Sequence, residues 1–184
     1  RCYYRPADDG PTLTMPAMVA TVTDLDGRTT GVHRTWLNPD GSDKADVDYP
    51  RRAMGDLLGN GVRFGAAAEV MAAGEGIETA LSARSGLPLM PMVAALSAAH
   101  LAAIQFPPAL RRLYILSDRD PAGNRARDAL VSRAASAGIE AVGLSPLGGD
   151  FNDDLRGHGL DILCTVLWSG LRPEDATRFL IGRP

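Results

Sequence analysis

The sequence predicts an α/β protein: an open, mostly parallel four-stranded sheet with helices on both faces, preceded by a small β-rich subdomain. Three observations predict it. From Ala67 onward, short apolar runs alternate with helix-forming runs, the pattern of a parallel sheet covered on both sides. Before Gly65, β-rich runs are instead separated by tight-turn signals. Finally, three of the later apolar runs end in glycines and acids, at the edge where open α/β sheets form their ligand crevice.

Taken in order, Arg1 to Pro16 is rich in Pro, Asp and Thr and reads as an irregular lead-in. Ala17–Thr23 and Gly31–Leu37 are strand-like and flank Asp24-Leu25-Asp26-Gly27-Arg28, whose Asp-Gly pair suits a hairpin turn. Asn38-Pro39-Asp40-Gly41 is a second turn, and Met54 to Phe64 is glycine-broken, giving short strands or loops. The expected division is therefore a β-rich N-terminal subdomain over 1–65 and an α/β domain with C-terminal helices over 66–184. In the second part the expected strands are Glu69–Ala73, Met90–Ala94, Arg112–Leu116 and Glu140–Leu144. The expected helices are Glu78–Ser85, Ser97–Gln105 and Asn124–Ala137, with Ser97 as an N-cap and Gly138 as a stop. Gly157 to Trp168 reads as a further helix, and Pro173 with Glu174 and Asp175 opens a short last one.

Composition narrows the function classes. The 184 residues are 45% apolar and 22% charged, ordinary for a soluble globular protein. No stretch is long and apolar enough to span a membrane, and no signal-like start is present, so no membrane partner is expected. Arg1 in place of Met is the mark expected of a piece of a longer protein. Cys2 and Cys164 stand far apart with no CxxC, which argues against zinc and for a reduced, cytoplasmic setting. The net charge of −3 contains no bulk argument for nucleic acid, although acids neutralised by a bound cation would weigh in that count. Lys44 is the only lysine, so basic character comes almost wholly from arginine, which suits bidentate phosphate contacts. His33, His100 and His158 lack ligand spacing, and Tyr3, Tyr4, Tyr49 and Tyr114 have no context that marks a nucleophile. Trp36 and Trp168 read as core residues, and Arg51-Arg52 and Arg111-Arg112 as solvent-facing pairs, the first with a part in a strand-binding groove as its alternative.

The chemistry is concentrated in three stretches. Leu113–Asp120, LYILSDRD, delivers Asp118 and Asp120 at a strand end, with Gly123 and a helix after them. Hard oxygen ligands at i and i+2 on such a loop select Mg²⁺, with Mn²⁺ as a substitute. Val70–Ala73 runs into Gly74-Glu75-Gly76, where flanking glycines allow a sharp turn and close approach of a phosphate. Ala141–Leu144 leads into Gly148-Gly149-Asp150-Phe151-Asn152-Asp153-Asp154. Strand ends distant in sequence meet in a parallel sheet, so Glu75, Asp118, Asp120, Asp150 and Asp153 together read as a metal site with a spare carboxylate. Asp118-x-Asp120-x-x-Gly123 also mimics the start of a calcium loop, but Ala129 stands where the bidentate glutamate belongs. A phosphoryl-aspartate enzyme would place its acidic pair at the first strand rather than the third. Glu78 is either an accessory ligand or an anion favourable to the first helical turn. Arg119 and Arg125 flank the acidic loop, either to hold a nucleotide's phosphates or to pair with the carboxylates. Asp154 is read as a solvated neighbour or a helix cap.

EGIETALSA, LSDRDPAGNRA about forty residues on, and GGDFNDDL resemble, in that order, the Toprim domain shared by primases, topoisomerases and certain nucleases. The resemblance is greatest to primase-like proteins of phages, plasmids and integrated mobile elements, and HRTWLNPDGSDKA is similar to the segment before their Toprim domain. It implies Glu75 as the catalytic glutamate, Asp118 and Asp120 as DxD metal ligands, and Asp150 and Asp153 as the further acids. The family's aspartate four residues after the glutamate is Thr79 here. It also implies Mg²⁺-dependent nucleotidyl transfer, foremost RNA primer synthesis on single-stranded DNA from nucleoside triphosphates, in DNA replication. A replicative helicase or missing domains of a longer protein would be partners. A Toprim nuclease that uses the same carboxylates to activate water is the alternative enzyme, and a non-catalytic module binding nucleic acid or a replication protein is the third reading.

Overall fold

The computed structural model describes residues 1–6 and 10–180, and the chain divides into two compact units, Arg1–Leu57 and Leu58–Pro184. In the first unit, β1 (Cys2–Tyr4) and β2 (Leu13–Met15) form an antiparallel pair. The strands β3 (Ala17–Thr23), β4 (Thr29–Trp36) and β5 (Arg51–Gly55) form a separate antiparallel sheet in that order. The turn between β3 and β4 closes because Asp24 Oδ1 accepts the N–H groups of Asp26 and Arg28, both at 2.9 Å. Gly27 supplies the left-handed residue it requires, at φ +80°. Tyr4, Trp36 and Ala45 make a small core, with the two rings edge to face at 5.1 Å.

The second unit is built on one five-stranded sheet, ordered β10 (Glu140–Leu144), β9 (Arg112–Leu116), β7 (Val70–Gly74), β8 (Met92–Ala94), β6 (Val62–Phe64). The four expected strands are present and mutually parallel. The fifth, β6, adds antiparallel to β8 at the edge. It lies in the glycine-broken stretch, too short to show a period of its own. Strand residues alternate between two cores. Val70, Ala72, Tyr114 and Leu116 pack under α1 (Ile77–Gly86), α4 (Phe151–Gly170) and α5 (Pro173–Phe179). Met71, Ala73, Leu113 and Ile115 pack under α2 (Ala98–Ala103) and α3 (Pro121–Ser136). Among the described residues no helix is long and apolar enough to cross a membrane.

Helix boundaries moved where a polar side chain takes over the cap. Ser97 caps α2 as expected, accepting the His100 N–H at 3.2 Å. Asp120 caps α3, so Pro121 sits in the first turn and the helix starts ahead of Asn124. Asp150 caps α4, which begins at Phe151 rather than Gly157 and is broken at Gly159 (φ +82°). Two surface expectations are corrected. Trp168 is 37% exposed, facing outward beside the buried Leu167. Arg112 is only 19% exposed at its side chain, because at the start of β9 it is held by Glu140, Glu174 and Asp175.

Candidate metal and catalytic site

The strand order turns back between β7 and β9, since β8 leads away from β7 on one side while β9 and β10 lie on the other. That reversal is where a doubly wound sheet opens a crevice beyond its strand ends. Gly74 is in register with Leu116, and Leu144 with Leu116 from the other side. Glu75 therefore follows β7 directly beside the point where Ser117 and Asp118 leave β9. The loop after β10 is tied to the same place: Ser117 N–H donates to the Leu144 carbonyl at 3.2 Å, and Arg119 N–H to the Gly149 carbonyl at 2.9 Å.

Asp118 is the centre of the arrangement. Burial pushes its carboxyl up to about 6, and the nearby charges of Glu75, Asp150 and Asp120 add to the rise. The Thr79 hydroxyl donates to it and partly offsets them. Asp118 Oδ1 is buried with no hydrogen-bond partner. A buried carboxylate oxygen without a donor is costly, and a cation is the partner such a group accepts. The donor set is all oxygen, which fits Mg²⁺ or Mn²⁺. Among the described residues no three His, Cys, Asp or Glu side chains are gathered tightly enough to form a ready cation cage. An open acidic edge still suits Mg²⁺, which keeps several waters and is held by one or two carboxylates plus substrate phosphates.

The remaining sequence candidates take different places. Asp120 and Asp150 each spend one oxygen on a helix cap, accepting from Gly123 N–H (2.6 Å) and Asp153 N–H (2.8 Å). Gly123 cannot carry a side chain without conflict, because a Cβ there would stand 2.8 Å from the Asp118 carbonyl oxygen. Asp153 is exposed on the first turn of α4 with its carboxylate against Gly149. Glu78 folds its Oε2 back toward Gly76 over the start of α1. Arg119 donates through Nη1 to the Leu147 carbonyl at 2.8 Å, bracing the loop after β10. Arg125 is exposed on α3, lining a shallow cavity of about 320 Å³ with Ala98, Ala102, Ala122 and Ala126.

The roles of three residues differ from or go beyond the sequence reading. Thr79 stands at the position where the family carries an acid, and it donates to Asp118 instead. Asp154 is fully buried rather than solvated, accepting Leu147 N–H and Gly148 N–H, both at 2.8 Å, and so shaping the Gly148-Gly149 loop. Leu96 is held in the left-handed region at φ +78°, its N–H donating to the Glu75 carbonyl at 2.8 Å. That conformation costs about 1–2 kcal/mol for a side-chain-bearing residue. Its nearest sequence signal was the Ser97 cap beside it.

A family model of the Toprim domain matches residues 70–161, half of the chain and every element that builds this acidic edge. The chain belongs to the Toprim family. A second model, of a domain of unknown function, matches residues 1–64. No curated protein matches the chain. Among solved structures, the Toprim chain is similar in fold to the zinc-binding and RNA polymerase domains of Aquifex aeolicus primase, with a TM-score of 0.58 and 20% identity. That match covers 83% of this chain and 40% of the other. It is also similar to the primase fragment of the bacteriophage T7 primase-helicase protein, with a TM-score of 0.59 and 14% identity over 81% of this chain and 62% of that one. The chain thus spans less than two thirds of either structure. At these identities the likeness is one of fold.

Proposed function

We propose that this Toprim chain is the nucleotidyl-transfer part of a primase-like enzyme that makes short RNA on single-stranded DNA from nucleoside triphosphates. The observation that carries the reading is Asp118, half-buried at the sheet's switch point with an unpartnered oxygen and three further acids acting on it. Asp118, Asp120 and Asp150 would hold Mg²⁺, with Asp153 at the margin. When bound, Mg²⁺ neutralises triphosphate charge, orients it for in-line attack and lowers the pKa of the attacking 3′-hydroxyl. Glu75 is the candidate general base for that hydroxyl proton, and it becomes an acid in the reverse direction. Its backbone carbonyl is anchored by the Leu96 N–H just past the end of β7. Thr79 and Asp154 act indirectly, the first by orienting Asp118 and the second by shaping the loop that carries Asp150. None of these groups reads base edges, so strand affinity is expected to fall with salt.

Incubation with single-stranded DNA, ribonucleotides and Mg²⁺ tests the reading. New short RNA is the expected product; shortened DNA without RNA would replace it by the nuclease reading, and neither product would remove both. Glu75→Gln separates base from ligand. It is expected to lower turnover about 10²–10⁴-fold while the Mg²⁺ or Mn²⁺ affinity, measured by calorimetry, stays as it was. A large loss of metal affinity would make Glu75 a ligand first.

A further inference from the structure

We propose that the chain self-associates as a twofold dimer in which β3 of one copy pairs antiparallel with β3 of a second copy, joining two three-stranded sheets into one. A sheet edge presents a row of unpaired N–H and C=O groups, and proteins blunt such edges by keeping them short or by charging them. The other edge strands of the described residues follow that rule. β1, β2 and β6 have three residues each. β5 carries Arg51 and Arg52, and β10 carries Glu140. β3 does neither: its seven residues, AMVATVT, include no charge and no proline. Its one irregularity against β4 lies at the last step, between Val22 and Thr23. Among the described residues Ala17–Thr23 hydrogen-bond to β4 alone, so the outer edge of β3 is open.

What the edge contains names its occupant. A strand without charge has nothing to select an acidic or a basic peptide, and nothing that repels its own copy. A twofold axis through Ala20 sets Ala17 against Thr23, Met18 against Val22 and Val19 against Thr21. All seven residues then pair, and every row keeps its face of the sheet. Val19, 54% exposed in the single chain, gains a β-branched neighbour across the new seam. Arg34, opposite Val19 on β4, stands three strand spacings from its copy. That is about 14 Å, beyond the screening length of about 8 Å at physiological salt. The pairing also ends itself. The edges left to the dimer are its two β5 strands, where arginines would meet arginines in any further pairing, so assembly closes at two copies.

Sedimentation equilibrium of the full chain tests this, over about 1 to 300 µM as suits a small interface. The mass is expected to rise from 19.4 kDa toward twice that value and no further. Val19→Glu with Thr21→Glu is expected to weaken association at least about tenfold, because carboxylates then face carboxylates in two rows of the seam. Folding of that variant is guarded: both positions are exposed, and the new carboxylate at position 19 would lie opposite Arg34. Val19→Lys with Thr21→Lys is expected to be monomeric alone, and an equimolar mixture of the two variants to restore the dimer by setting unlike charges in the same rows. An unaltered chain that stays at 19.4 kDa throughout would overturn the proposal. So would undiminished association of the glutamate variant, a mass beyond two copies, or a mixture that stays monomeric.

Discussion

Replacing Asp118 and Asp120 together by asparagine is expected to lower RNA synthesis by at least about 10³-fold, some 4 kcal/mol of transition-state stabilisation, while making the metal-free protein more stable. The two effects have one cause. Asp118 is half-buried beside Glu75, Asp150 and Asp120, which disfavours its ionised form and pushes its carboxyl up to about 6. An acid whose folded pKa lies above its unfolded value holds its proton in the folded state after the unfolded chain has lost it. Stability from this group is therefore present below about pH 4, is lost as pH rises toward 6, and stays lost at pH 7. The asparagine variant removes that ionisation, with a gain on the order of 1–2 kcal/mol at pH 7. Thermal melts in EDTA from pH 4 to 7 check it: the unaltered chain should lose stability across the window relative to the variant. Unchanged turnover would remove the metal reading, and parallel melting curves would remove the electrostatic account of Asp118.

Asp175→Ala is expected to have the largest effect on folding, about 3–5 kcal/mol, with the acidic crevice untouched. Asp175 is 3% exposed, accepting from Arg112 at 2.6 Å and from the Tyr114 hydroxyl at 2.7 Å. The same hydroxyl accepts the Arg172 N–H at 2.9 Å, and Glu140 receives both Arg112 and Arg172. This network joins α5 to the starts of β9 and β10, the opposite end of β9 from Asp118. Removing the carboxylate leaves the Tyr114 hydroxyl, whose own pKa burial pushes up to about 12, without its acceptor. It also leaves Arg112 buried with fewer partners. Asp175→Asn keeps an acceptor and should lose less. Urea denaturation gives both values; a loss below about 1 kcal/mol for the alanine variant would mean that packing of Phe179 and Ala176 alone holds α5.

Much of the fold and part of the site were legible from local signals, because those signals are themselves physical constraints. The four parallel strands were continuous apolar runs, as burial on two faces demands. Each acid stood just past such a run, so placing the strands also placed Glu75, Asp118, Asp120 and Asp150 at one edge. Other features had no local signature. Three residues of β6 show no period until β8 pairs with them. The partners of Arg112 come from β10 and α5, 28 to 63 residues away.

The same division separates Asp118 from Asp153 and Glu78. All three are acids in suitable motifs; the sequence reads Asp118 and Asp153 as metal ligands and Glu78 as an accessory ligand or a helix-start anion. What sets Asp118 apart is strand order and register, which bring the ends of β7, β9 and β10 together and place Glu75, Asp150 and Asp120 around it, while Asp153 is exposed on the first turn of α4. By itself the sequence determined the class of fold, the oxygen-only character of the site and its place at the strand ends. Only the tertiary structure decided which carboxylate is desolvated and unpartnered, because desolvation is a property of everything that packs around a group, most of it far away along the chain.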